Sequence, residues 1–283
     1  MYLFTTIPFL YFINTRLKGK IQKISWIFVY FIPNIFLYFY ITDFDISFSN
    51  ILLMTISILL VNYIYENGYI QNDIILTKKE KNPNLRVDGS LLLKLRKNIF
   101  KIFLIRGIVI IILVVGIYLV ESDFLILTKY ILILFLIQIL YLIYNSIRNI
   151  GNLYLILPLS YLRFYGFVLP LVETVQLFEF IIITIFIYPL LKMLEFTKQE
   201  RYNFDTLARI IKNVDLFRIK YYSILLLVSL FCILYLDTPK YFISLVVYYL
   251  LFRIATFLII SKSVIVKKEL LKYTKDIYRK EKA

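Results

Sequence analysis

Long apolar runs separated by short polar segments organise this chain. A stretch such as Ile51 to Val61, "ILLMTISILLV", shows neither the two-residue alternation of a half-buried strand nor the polar face of an amphipathic helix. A membrane-crossing helix needs roughly 20 mostly apolar residues. Eight segments approach that measure, at 24–42, 50–68, 99–120, 124–144, 150–171, 174–194, 221–236 and 241–261, the seventh being short. They are too continuous for the strands of a membrane barrel, which turn only every second residue to lipid. The pattern therefore predicts an all-α polytopic membrane protein forming one integral domain over residues 1–283.

The connections alternate in charge. Asp43 and Asp45 follow the first segment, and Lys78, Lys79, Lys81, Arg86, Lys94, Arg96 and Lys97 follow the second. Glu121 and Asp123 follow the third, Arg148 the fourth and Glu173 the fifth. Lys192, Lys198, Arg201, Arg209, Lys212, Arg218 and Lys220 follow the sixth, and the tail is strongly basic. Basic connections stay on the cytosolic side. This predicts a multi-pass protein of the inner (plasma) membrane with both termini cytosolic. The two long basic loops fall after the second and sixth segments. That spacing suggests two four-helix halves, 24–144 and 145–261, around a central cavity with polar loops at its cytosolic end, followed by a basic tail over 262–283. The opening "MYLFTTIPFLYFINT" has neither the basic start nor the small-residue cleavage site of a signal peptide. Residues 1–23 are therefore read as a retained interfacial or re-entrant segment.

Composition sharpens this picture. The chain is 61% hydrophobic with a mean hydropathy of +0.80, against roughly 45–50% apolar residues in soluble domains. With 7 Gly and 7 Pro, long helices are favoured over loops. The net charge of +15 would suggest nucleic acid in a soluble protein, but here its place at the ends of apolar runs assigns it to topology. The absence of histidine excludes His-based triads, His-ligated metals and His-ligated haem. Any metal must then be held by oxygen, which points to Mg²⁺ or a similarly hard ion. The single cysteine, Cys232, lies in an apolar run and reads as a packed small hydrophobe.

Ionisable residues at membrane depth are costly and tend to face the protein interior. Asn62 and Glu66 stand one helical turn apart, and Asp73, seven residues on, returns to their face if the helix continues. Arg106 and Arg253 lie at a similar depth, either facing that interior or reaching to headgroups. Arg163 and Glu179 sit nearer the other side and read as a pair that ties two helices together, with Lys129 as a boundary residue.

The sequence "NYIYENGYIQND", followed by "KEKNPNLR", resembles the first polar loop of the UbiA superfamily of intramembrane prenyltransferases. Asn62 and Glu66 match an amide and an acid at four-residue spacing, Asn72 and Asp73 an Asn–Asp pair, and Pro83 and Arg86 a downstream Pro and Arg. The full aspartate array is missing, since Ile74 to Thr77 hold no acid, and the acids of "EFTKQERYNFDTLARIIKNVDLFR" are not at four-residue intervals. The resemblance implies a Mg²⁺ site on Asn62, Glu66, Asp73, Glu195, Glu200 and Asp205, with Glu66 and Asp73 catalytic. It also implies phosphate contacts from Lys78, Lys79, Arg86, Arg201, Arg106 and Arg253.

The function so implied is a membrane transferase acting on a polyprenyl phosphate or diphosphate with diphosphate release. Prenyl transfer to a small acceptor and phosphoribosyl transfer to a polyprenyl phosphate both fit, in a setting such as surface-polysaccharide synthesis. The partners are then the polyprenyl lipid and the bilayer, with no nucleic acid. A lipid-linked saccharide transporter and a non-catalytic membrane partner stand as the competing classes.

Overall fold

The computed structural model describes residues 2–17, 19–78, 85–147, 149–199, 202 and 204–262, most of them helical and none of them in a strand. Two short helices open the chain, α1 (Tyr2–Thr6) and α2 (Leu10–Arg16). Long α3 (Lys20–Ile41) and α4 (Phe48–Lys78) follow. Next come α5 (Gly89–Lys97), α6 (Ile99–Val120), α7 (Phe124–Ser146) and α8 (Gly151–Tyr165). The chain ends with α9 (Leu177–Ile187), α10 (Pro189–Phe196), α11 (Asp205–Ile210), α12 (Val214–Leu236) and α13 (Tyr241–Lys262).

Six of the helices are long and apolar enough to cross a membrane: α3, α4, α6, α7, α12 and the Tyr241–Ile260 part of α13. Two of the eight expected segments take another form. The 150–171 segment is the 15-residue α8 followed by a 3-10 turn at Leu169–Leu171. The 174–194 segment is the pair α9 and α10, bent by 42° between Ile187 and Pro189, and it counts as a seventh crossing if taken as one span. Proline sits at the start of α10, where its missing N–H and fixed φ suit a first turn but not a helix interior. The second expected segment proves longer than its apolar run. Beyond Gly68 the helix of α4 continues through a π turn at Gln71–Ile75 to Lys78, so the polar stretch is still helical.

Local signals fix the helix starts. Asp123 caps α7 through the Leu125 N–H at 2.7 Å. Asn213 caps α12 through the N–H groups of Asp215 and Leu216, both at 3.1 Å. Helix breaks in lipid expose carbonyls that water cannot reach, and tyrosines take them up. In α3 a π turn spans Ile27–Phe31, so the Ile32 N–H bonds Ile27 and passes over Phe28, while Pro33 has no N–H for Val29. The two freed carbonyls, Phe28 and Val29, accept the hydroxyls of Tyr248 and Tyr249 on α13 at 2.7 and 2.8 Å. At the α9–α10 break the Phe186 and Ile187 carbonyls accept from Tyr221 and Tyr222 of α12 at 2.5 and 2.8 Å.

The main core gathers α3, α4, α7, α8, α9, α12 and α13. Helices α12 and α13 pack as a hairpin, α4 lies against α6 and α7, and α8 lies against α7 and α10. Helices α1 and α2 fold back onto α6 and α4, where Tyr11 joins a smaller core with Ile70, Ile74 and Leu95.

Because α6 is long and apolar enough to cross a membrane, its two ends should open to different compartments. Gly89, with open space around it, lies before one end and exposed Ser122 follows the other. In a Cys232→Ser background, Gly89→Cys and Ser122→Cys should react with an impermeant maleimide from opposite sides of sealed vesicles. Reaction of both from one side would contradict the crossing.

Candidate functional site

The π turn in α4 and the fold-back of α2 set the geometry of the acids. Glu66 and Asp73 are both buried. One oxygen of Glu66 accepts the backbone N–H of Phe12 at 2.9 Å, and the other faces Arg106 Nη2 at 3.6 Å. Arg106 is itself fully buried. It donates to Asn67 Oδ1 and the Tyr63 carbonyl at 2.5 Å each and to the Thr5 carbonyl, with its guanidinium 3.7 Å from the Tyr63 ring centre. Glu66 and Arg106 thus clasp α1 and α2 against α4 and α6.

Asp73 is more fully engaged. Arg16 holds it with two nitrogens, at 2.8 and 3.0 Å. Arg86 adds 3.1 Å, Tyr11 3.0 Å and Asn72 3.3 Å. Burial, and next the Asp73 charge, push the Tyr11 phenol well above its ordinary pKa, so it stays protonated and donates. For Arg16, burial opposes the charge, but Asp73 outweighs it through charge and hydrogen bonding, and the net shift is upward.

A cavity of about 520 Å³ opens beside these acids, between the end of α4 and the α8–α10 region. Four cations line it: Arg16, Arg86, Arg163 and Lys192. Tyr65, Tyr69, Tyr141, Tyr144 and Tyr188 supply rings and hydroxyls, and Asn72, Asn145 and Asn152 supply amides. No carboxylate is among its described lining residues. Gly68 is needed where it stands, because a Cβ there would overlap the Tyr141 ring. Segments far apart in sequence, 65–77 and 188–199, meet across this space.

Arg163 is the cation that sequence alone misread. It does not reach Glu179, which is exposed beside a separate apolar groove. Its guanidinium lies 4.2 Å from the Phe12 ring centre and 4.8 Å from that of Tyr65, and Nη1 donates to the Tyr69 hydroxyl at 2.9 Å. Its Nε is buried with no partner, and no described carboxylate pairs with it. Tyr30, held by Asn62 at 2.6 Å, fixes the Arg163 carbonyl at 3.0 Å. Asn62 therefore supports the cavity wall from behind. The readable signal was Tyr65 and Tyr69, one turn apart on the helix that carries Glu66. Nothing in the sequence marked Arg16 as the partner of Asp73.

The other expected site residues are dispersed. Glu195 is held by Arg218 at 2.5 and 3.0 Å and by Lys192 at 3.4 Å. Arg253 is buried, 5.2 Å from the Phe252 ring centre, and does not line the cavity; neither does Arg106. Lys78 is exposed at the end of α4. Lys79, Glu200 and Arg201 lie outside the described residues, and of Asp205 only its place at the start of α11 is described.

The described members of the Mg²⁺ set implied by the family resemblance do not fit this arrangement. Mg²⁺ takes oxygens in near-octahedral array, whereas both oxygens of Asp73 are bound by guanidiniums. One oxygen of Glu66 accepts the Phe12 N–H, and the other, which accepts no hydrogen bond, faces the Arg106 guanidinium at 3.6 Å. Among the described residues no three acids converge where a metal could be held. Searches of family models, curated proteins and solved structures return no match to this chain.

Removing one member of a buried ion pair leaves the other uncompensated, at a cost of about 3–5 kcal/mol. Arg106→Met strips Glu66 of its cation and three further acceptors of their donor. It should lower thermal stability in detergent sharply, and Glu66→Leu added to it should recover part of the loss. An unchanged melting temperature in Arg106→Met would refute the clasp.

Proposed function

We propose that this chain is an intramembrane transferase of UbiA-like plan that acts on the phosphate or diphosphate end of a polyprenyl lipid. The observation that carries the reading is the cavity: four cations with rings and amides, and no described carboxylate, at the end of a helical bundle. Such a lining suits an anionic head attached to an apolar tail. The bilayer supplies the lipid, and Ile156, Leu159 and Phe164 continue the cavity wall as apolar surface for the first isoprene units.

In the prenyl-transfer version, the bond between C1 of the lipid and the diphosphate oxygen breaks. The electron pair leaves with the diphosphate, and a small acceptor forms the new bond to C1 and loses a proton. In the phosphoribosyl version the lipid phosphate is the nucleophile and diphosphate leaves from the sugar. Both versions place developing negative charge where Arg163, the Arg16–Arg86 pair and Lys192 stand. Fixed cations aimed at developing charge lower the barrier because they need no reorganisation during the step. Surface-polysaccharide synthesis is a fitting setting.

The topology that goes with this reading has eight crossings in two halves, with α8 plus the Leu169–Leu171 turn and the bent α9–α10 pair as the fifth and sixth. The basic loops and both termini face the cytosol of a plasma membrane. A second reading, a non-catalytic binder of lipid phosphate, is favoured by one observation: Glu66 and Asp73 are both engaged by arginine, so neither is a free base.

Purified protein should release diphosphate from polyprenyl diphosphate or from phosphoribosyl diphosphate with polyprenyl phosphate. Arg163→Gln should slow that release roughly 10²–10³-fold, as loss of one preorganised contact does. Tight binding of the lipid with no turnover of either donor would select the non-catalytic reading. Equal rates in wild type and Arg163→Gln would remove the cavity from the chemistry.

A further inference from the structure

We infer that the cavity takes the diphosphate of an isoprenoid lipid directly on guanidinium and ammonium groups, with no divalent metal between protein and ligand. The inference rests on the polyprenyl reading above and concerns how that same site holds its anion.

Arg163 carries the argument. Arg163 is half-buried, and a cation partly withdrawn from water still needs a counter-charge or an equivalent set of partners. Arg163 has ring faces at 4.2 and 4.8 Å and one tyrosine hydroxyl, while its Nε stays unpartnered and no described carboxylate pairs with it. Ring quadrupoles stabilise a guanidinium in part. They leave this cavity-lining residue with a donor that no protein acceptor takes up.

The opposite wall adds to this. Arg16 and Arg86 share one carboxylate, Asp73, so the cluster keeps a net positive charge on the cavity side. Lys192 borders the same space, and its partner Glu195 is already satisfied by Arg218. Planar guanidiniums present paired donors that match phosphate oxygens two at a time, and a lysine adds a point charge.

A metal-bridged arrangement needs carboxylate oxygens facing the ligand, yet neither Glu66 nor Asp73 lines the cavity. To reach a metal, Asp73 would have to release five donors. The acids here orient cations, and the cations meet the anion. Asp73 is then a positioning residue for Arg16 and Arg86.

The test is equilibrium binding of radiolabelled farnesyl diphosphate to the full chain in detergent, with EDTA and separately with Mg²⁺, and with inorganic diphosphate as competitor. The inference expects saturable binding in EDTA, of affinity within about threefold of that with Mg²⁺. It expects Arg163→Gln to weaken that binding roughly 10-fold or more, as loss of a charged hydrogen-bond partner does. Inorganic diphosphate should compete, but less strongly than the prenylated form, since it lacks the tail. Binding that appears only with Mg²⁺ overturns the inference and leaves the polyprenyl reading standing. Binding in EDTA that Arg163→Gln leaves unchanged overturns the assignment to this cavity. No binding in either buffer overturns the polyprenyl reading and the inference with it. The decisive comparison uses the wild-type chain, so a poorly folded variant cannot mask it.

Discussion

Inside a bilayer, no polar group can be left to water, and this protein is built around that constraint. Its tyrosines answer it for the backbone. Where a π turn and Pro33 interrupt α3, and where Pro189 interrupts the α9–α10 pair, hydroxyls from α12 and α13 occupy the released carbonyls. Each bond also ties two helices that are remote in sequence. The helix breaks therefore double as cross-links of the bundle.

The same constraint decides what the buried charges do. Arg106 is fully enclosed, so Glu66 and three further acceptors must face it, and the N-terminal segment is clasped as a consequence. Asp73 is buried beside two arginines and is consumed by them. Acids engaged in this way neutralise the protein's own interior and leave the adjoining cavity with cations, rings and amides. Arg163 is the exception that gives the site its sign. It is backed by aromatic faces rather than by an acid, so its charge remains available to a ligand.

Much of the architecture was legible in the sequence because apolar length is an almost direct readout of a crossing helix. The segments at 99–120 and 124–144 coincide closely with α6 and α7. The 150–171 and 174–194 segments are as apolar, but hydropathy does not register where a proline or a turn divides a run, and they emerge short or bent. Glu66 and Asp73 stood out as buried acids at helical spacing. Their partners did not, because Arg16 and Arg106 approach them from 57 and 40 residues away in the chain, through the fold-back of α2 and the packing of α6. Arg163 looked like a partner for Glu179, when local pairing was the only rule available. Its aromatic setting depends on Phe12, which reaches it only because the N-terminal helices are clasped.

The central claim, that the Arg163 cavity holds the anionic end of an isoprenoid lipid, is tested most directly by what the protein retains when purified gently from its native membrane. Mass spectrometry of lipids released from the wild-type chain and from Arg163→Gln would give the answer. The account predicts a polyprenyl phosphate or diphosphate enriched over bulk phospholipid in the wild type and depleted in the variant. Identical lipid profiles with no prenylated anion in either preparation would contradict it.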